Sequence, residues 1–202
     1  MLSTEQIIPY LADKKYTAKL RVYDTLASTN DTAKELARGG CEHGTAVIAD
    51  SQTAGRGRMG KSFYSPSGGG VYISFIFRAE FLKLTEPTPV TVAAAVVVAG
   101  AIRRVCGCEP EIKWVNDILL HGKKICGILT EGMTGADGGV EWVILGIGIN
   151  VTTEDFPAEI KETAGAIAPG GDESLRTRLA AELINIFLSS DEWHEPLSNE
   201  GA

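Results

Sequence analysis

Apolar and polar positions along the chain switch several times between a helical and a strand-like period, and the switches divide it into elements. "STEQIIPYLADKK" opens with a Ser3 to Gln6 capping box and carries apolar residues at helical spacing, which predicts a short leading helix. "LRVYDTLAS" reads as a strand, and "STNDTAKELARGG" then begins with a row of N-cap residues and ends in Gly39-Gly40, so a helix lies between. "TAVIADS" is the next strand, followed after a loop by "VYISFIFRA", in which Val71, Ile73, Phe75 and Phe77 alternate. Thr88-Pro89 and Cys106-Gly107 bracket "VTVAAAVVVAGAIRRV", a central helix expected to be buried nearly all round. Three strand-like pieces follow closely: "EIKWV" with "DILL", then "KKICGILTE", then "VEWVILGIGINV". They are joined by His121-Gly122 and "TGADGG", and turns this short demand antiparallel neighbours. Leu175, Leu179, Leu183 and Phe187, at spacing four, mark a last helix near Glu173 to Ser190. The order predicts an α+β domain, with helices packed on one face of a mixed, largely antiparallel sheet.

Composition narrows the function classes. With 202 residues, 44% hydrophobic and 22% charged, the chain fits a single globular domain with a real core. A net charge of -7 and the lack of any Lys/Arg run oppose a nucleic-acid partner. The N-terminal segment has neither a positive n-region nor an apolar h-region. The longest apolar run, Val92 to Ile102, is too short to span a bilayer, so a cytoplasmic protein without a membrane partner is expected. The four cysteines form no C-x-x-C pair and His43, His121 and His194 are far apart in sequence, so no metal site is expected. Cys106 and Cys108 read as reduced thiols at a helix end, Cys126 and Trp142 as core residues.

"SQTAGRGRMGKSFYSPSGGG", Ser51 to Gly70, contains a complete G-x-G-x-x-G, but Ser65-Pro66-Ser67 and three glycines follow where a dinucleotide fold needs a helix. The glycines therefore belong to a strand-to-strand loop carrying Arg56, Arg58 and Lys61, suited to closing over a phosphate or carboxylate. Three further stretches place polar groups in apolar or Gly-rich elements: "STN" at Ser28 to Asn30, "KWVND" at Lys113 to Asp117, and "GIGINV" at Gly146 to Val151. Lys113 is either a snorkelling surface residue or a fixed cation for an anionic ligand. The "GIGIN" glycines fit either a close backbone approach to a ligand or an ordinary bulged strand.

Together these stretches resemble the biotin protein ligases. The family's Ser-Thr-Asn, "GRGR-x-G-[KR]-x-W-x-SP", "KWPND", "K-[IL]-x-GIL-x-E" and "GIGIN" appear here, in that order, as "STN", "GRGRMGKSFYSP", "KWVND", "KKICGILTE" and "GIGIN", covering roughly Arg21 to Val151. Phe63 stands where the family usually has Trp and keeps an aromatic face without the indole N–H. Val115 stands where it usually has Pro and restores a backbone N–H. The resemblance implies the biotin/lipoate ligase-like fold, shared with class II aminoacyl-tRNA synthetases. It implies ATP-dependent activation of biotin as biotinyl-5'-AMP and transfer to a lysine of a biotin carboxyl carrier protein domain, with ATP and its Mg2+ as cofactors. Lys113, Arg58 and Arg56 would be catalytic. Ser28, Thr29, Asn30, Gln52, Gly55, Arg56, Arg58, Lys113, Trp114, Gly127 and Leu129 would bind biotin, and Arg58, Phe63, Asn116 and Asn150 the nucleotide. Ser28 could serve as helix N-cap at the same time. The resemblance further implies one catalytic domain over residues 1–202, without an N-terminal DNA-binding region or a C-terminal β-barrel, and allows a homodimer through a sheet edge. Lipoate or octanoate transfer on the same fold and a non-catalytic biotin sensor are the rival functions.

Overall fold

A computed structural model describes residues 1–82, 88–136, 138–190 and 193. In chain order it contains α1 (Thr4–Ile7), β1 (Leu20–Leu26), α2 (Thr29–Arg38), β2 (Thr45–Gln52), β3 (Gly70–Arg78), α3 (Ala79–Leu82), α4 (Thr88–Cys106), β4 (Glu111–Lys113), β5 (Asp117–Leu120), β6 (Lys123–Thr134), β7 (Val140–Asn150) and α5 (Ser174–Ser189). The seven strands form one sheet, in the order β1-β2-β3-β7-β6-β5-β4. β1 and β2 run parallel and every other neighbouring pair antiparallel, so the expected mixed sheet is borne out.

The capping box of α1 forms as expected, with Ser3 Oγ accepting from Gln6 N–H and Gln6 accepting from Ser3 N–H, yet the helix stops after one turn. Pro9, lacking an N–H, shifts the chain into a 3-10 turn over Ile8–Tyr10. Between β5 and β6, His121 and Gly122 both take positive φ (51° and 76°), which makes a two-residue hairpin turn whose twist suits the strands it joins. "EIKWV" and "DILL" do not make one piece. β4 ends at Lys113, Trp114 to Asn116 turn the chain, and β5 returns between β6 and β4, leaving β4 as the sheet edge.

Alternation along the central strands sends Ile48, Val71, Ile73, Phe75, Leu145, Ile147 and Ile149 into a large core beneath α4 and α5. Val47, Ile76, Ile144 and Trp142 face the other way, against Ala33 and Ala37 of α2. The expectation of helices on one face therefore holds for α4 and α5 but not for α2, whose buried stripe at Asn30, Ala33 and Ala37 needs a sheet face of its own. α4 is also less enclosed than expected: Val90, Ala94, Val98, Ala101 and Ile102 are buried, but Val96 is 48% exposed, because the sheet and α5 cover only its inner side. Its Pro89–Cys106 stretch is long and apolar enough to cross a bilayer by length and composition, beyond what the Val92 to Ile102 run suggested. Here its inner face is part of the core.

One charged pair lies inside this core. Arg176 and Asp50 are each buried and 2.7 Å apart (Nη2 to Oδ1). Arg176 Nε also donates to Gly70 O, while Asp50 accepts from Leu2 N–H, Ser67 Oγ and Gly68 N–H. Burial alone would push the Asp50 carboxyl up. The donors from Ser67, Arg176 and Leu2 outweigh it and hold the pKa at about 2, against an ordinary 3.8.

Because the folded value is depressed, this stabilisation is full above about pH 4 and is lost as the pH falls toward 2, a change of about 2 kcal/mol. Arg176→Met should cost about 3–5 kcal/mol, since it strands a buried carboxylate. Urea unfolding at pH 7 and at pH 3 checks both: the loss in the variant should be large at pH 7 and smaller at pH 3. An equal cost at both pH values would show that Asp50 is not the partner that matters.

Candidate active site

The period of two along the strands places one row of residues under α2. Ser74, Gly146 and Leu129 sit side by side across β3, β7 and β6. The neighbouring row runs Tyr72, Gly148, Gly127, Asp117 and Lys113 out to the edge strand. The glycines leave the floor of the sheet bare, and side chains of this chain occupy the space. A Cβ on Gly146 would overlap the Asn30 carboxamide, and one on Gly148 would lie 2.6 Å from the Phe63 ring, which also covers Gly127. The "GIGIN" strand is not bulged, since its pairing with β3 and β6 is continuous there; its glycines take close approaches from Asn30 and Phe63 and also line the adjoining cleft.

Asn30 reaches the sheet because Ser28 caps α2. Its hydroxyl accepts from Asp31 N–H at 3.4 Å and sets the first turn, with Thr29 and Asn30, against the strands. A chain of hydrogen bonds then runs under the cleft. Ser65 Oγ accepts from Gln52 Nε2 at 2.8 Å, and Gln52 Oε1 accepts from both N–H (2.8 Å) and Oγ1 (3.1 Å) of Thr29. Ser74 Oγ lies 2.8 Å from Thr29 Oγ1 and 2.6 Å from Asn30 Oδ1, and Asn30 Nδ2 donates to Glu131 at 2.9 Å. Facing a carboxylate on one side and a hydroxyl on the other, the Asn30 amide has one sensible orientation.

The Ser51 to Gly70 segment is a strand-to-strand loop, as expected, and its two limbs pair as a ribbon. Gln52 N–H donates to Ser65 O, Phe63 N–H to Gly55 O and Gly57 N–H to Lys61 O. Its tip, Arg58–Gly60, leaves Met59 92% exposed at a φ of 55°. The ribbon leans over a cleft of about 260 Å³ lined by Ser28, Thr29, Asn30, Gln52, Arg56, Arg58, Asn116, Gly127 and Leu129 among others. A second cavity of about 400 Å³ adjoins it beyond the Phe63 ring, with Lys113, Asn150, Tyr64 and Phe156 in its walls; Lys61, Phe63, Asp117 and Lys124 line both.

The cations of the two cavities fall into two groups. Arg56 is paired with Asp31 (2.5 Å) and Glu131 (3.1 Å), and Lys124 with Asp117 (2.7 Å). Among the described residues the Arg58 guanidinium donates to the neutral Asn116 Oδ1 at 3.0 Å and meets no carboxylate, and neither Lys61 nor Lys113 has a carboxylate partner. Burial pushes the Cys126 thiol up and raises Cys106 to about 11, so neither offers a thiolate near neutral pH. The described residues hold no group of three or more His, Cys, Asp and Glu arranged for a metal ion.

Residues 22–150 match the model of the biotin/lipoate A/B protein ligase family. The chain belongs to that family. It is 44% identical over 155 residues to the bifunctional ligase/repressor BirA of Bacillus subtilis, a match covering 76% of this chain and 47% of the relative. It is 36% identical over 146 residues to the biotin--[acetyl-CoA-carboxylase] ligase of Paracoccus denitrificans, covering 71% and 56%. The biotin protein ligase from Aquifex aeolicus in complex with biotin and ATP superposes with a TM-score of 0.68 at 30% identity, covering 82% of this chain and 69% of that one. The chain spans about half the length of the curated relatives it matches. The resemblance carried by the five ordered motifs, and the ligase-like fold it implied, are borne out.

Within this biotin/lipoate ligase domain, the structure gathers Ser28, Thr29, Asn30, Gln52, Arg56, Arg58, Phe63, Asn116, Gly127 and Leu129 at the first cleft, but it separates others that were grouped with them. Lys113 and Asn150 line the second cavity instead. Gly55 is buried within the ribbon and does not line the cleft; a Cβ there would overlap Phe63 O. Trp114, expected among the biotin-binding residues, is 78% exposed at the hairpin turn and lines neither cavity, because β4 ends one residue before it. Asn116 is fixed by Nδ2 donating to Ile128 O and by its backbone carbonyl accepting from Ile128 N–H. Residues 154–164, which wall the second cavity with Phe156, Ile160 and Thr163, have no periodicity by which they could have been found. Glu131, Ser74, Lys124 and Asp31 were missed as well, although Glu131 closes the "GILTE" stretch.

Gly146→Ala should destabilise the domain by about 2 kcal/mol or more, because the new methyl displaces a fully bonded, buried amide. The same change at Gly148 should cost less, since the ring it meets stands on a loop that can give way. Denaturant melts of the two variants make the comparison, and equal costs would show that Asn30 is free to move.

Proposed function

We propose that this chain activates biotin with ATP and transfers it to a lysine of a carrier domain of a biotin-dependent carboxylase. The observation that carries the proposal is the pair of adjoining cavities, one with a buried polar floor, the other with an unsatisfied amide, flanked by Arg58, Lys61 and Lys113. Thr29, Gln52 and Asn30 suit a small ring with amide-like groups, because buried donors and acceptors reject a ligand that cannot match them. Asn150 donates through Nδ2 to Gly165 O, while its Oδ1 is buried without a partner among the described residues and suits the exocyclic amine of a purine. Phe63 offers its ring face between the two cavities.

In the first step a carboxylate attacks the α-phosphorus and pyrophosphate leaves; in the second the carrier's amine displaces AMP from the mixed anhydride. Anions crowd together in the first step, and positioned cations lower its barrier. Lys113 and Arg58 take that role, with Lys61 beside them, while Arg56, already neutralised, does not. The Mg2+ that accompanies ATP would be held chiefly by the phosphates, consistent with the few unpaired carboxylates nearby. The biotin-ligase names of the relatives support biotin over lipoate.

Incubation with biotin, Mg-ATP and a biotin carboxyl carrier domain, followed by intact mass, should show the carrier gaining one biotin. Lipoyl or octanoyl transfer without biotinylation would assign the rival substrate, and adenylate with no transfer would leave a binding protein. Lys113→Ala should slow adenylate formation about 10²- to 10³-fold with the fold intact. Arg58→Gly, with Lys113 and Lys61 still in place, should form adenylate more slowly and lose it to solution, so that added albumin becomes biotinylated. Albumin as unmarked as with the parent protein would show that Arg58 is not what retains the anhydride.

A further inference from the structure

The loop arginines differ in a way their spacing does not show. Arg56 Nη1 lies 2.5 Å from Asp31 Oδ1, and its Nη2 and Nη1 lie 3.1 and 3.4 Å from the two oxygens of Glu131. One guanidinium thus ties the loop to α2 and to β6 at once. Glu131 is itself held by Lys34 Nζ at 2.7 Å and Asn30 Nδ2 at 2.9 Å, and its side chain is only 19% exposed. Two acids and two bases balance here, so the cluster is neutral and has no charge to spare for an anionic ligand.

We propose that Glu131, with Asp31, is a positioning residue that latches the loop before any substrate arrives, and that Arg56 is the anchor of that latch rather than a substrate ligand. Among the described residues, the ribbon's other ties lie at its base, where Gln52 N–H pairs with Ser65 O and Thr53 and Ala54 N–H donate to Leu26 O and Ala27 O, at the Phe63 ring, and at the tip through Arg58. Arg58, two residues beyond the anchor, is thereby placed across the cleft at Asn116. The bond from Asn30 puts the cleft floor and the loop on one carboxylate, so a ligand that seats the floor also steadies the latch. The consequence for catalysis rests on the function proposed above; the latch does not.

Limited trypsin digestion of the ligand-free protein tests it without any substrate, since a cut after Arg58 reports loop opening. Glu131→Gln, which keeps an acceptor for Asn30 but removes the charge, should raise that cutting rate about 10-fold, and Asp31→Asn should raise it less. Arg56→Met should match Glu131→Gln, and the double variant should be no faster than either, because both remove the same tie. Three results would overturn the proposal: an unchanged rate in Glu131→Gln, rates that multiply in the double variant, or faster cutting spread over the whole chain. As the digestion involves no biotin or ATP, its failure would leave the ligation experiment standing, and the reverse holds too.

Discussion

A carboxylate and a guanidinium, both almost wholly removed from water, hold the two feet of the loop on which the site depends. Asp50 lies two residues before Gln52, where the outgoing limb begins. Ser67, Gly68 and Gly70, which it or Arg176 contacts, lie just after the returning limb. The same pair secures the start of α5 and the N-terminal Leu2. Left single, either charge would carry a desolvation penalty of several kcal/mol, so the four segments are favourable only together. Thr152 and Thr153, bonding Gly68 O and Gly69 O, bring the end of β7 into the same cluster.

With the feet fixed, the remaining span is free to serve the cleft. The sheet contributes by what it omits: Gly127, Gly146 and Gly148 remove side chains from one patch of a face that is otherwise covered by α2. Into that patch come an amide from a helix N-terminus and an aromatic ring from the loop. The hydrogen-bonded chain from Ser65 to Glu131 satisfies the groups that line the patch, which lets a polar floor exist beside a core of Ile, Val and Phe.

The electrostatic layout follows from which acids lie close to which bases. Asp31 and Glu131 neutralise Arg56 and Lys34, and Asp117 neutralises Lys124, so among the described cations lining the two cavities positive charge persists at Arg58, Lys61 and Lys113. A chain with net charge -7 thereby presents a local positive site between two cavities.

The order and types of the longer elements, the turns at Gly39-Gly40 and His121-Gly122 and the strand-to-strand character of the glycine loop were legible along the chain, because each rests on local periodicity or on a backbone preference, whereas the one-turn helix α3 and the break between β4 and β5 were not. So were the motifs that mark the family. Contacts between distant residues were not. That Asp50 pairs with Arg176, 126 positions away, that Glu131 meets Arg56, and that Lys113 and Asn150 share a cavity apart from Thr29 and Gln52 depend on strand order and register, which pattern alone does not set. Trp114 shows the limit in one residue: the resemblance grouped it with the biotin-binding residues, but β4 ends before it and the turn leaves it in solvent. Sequence by itself determined which chemical groups the chain possesses and which elements carry them. Tertiary structure decided which charges are already spent on one another and which remain free for a ligand, because Coulomb attraction and desolvation depend on distance and burial, and neither is written along the chain.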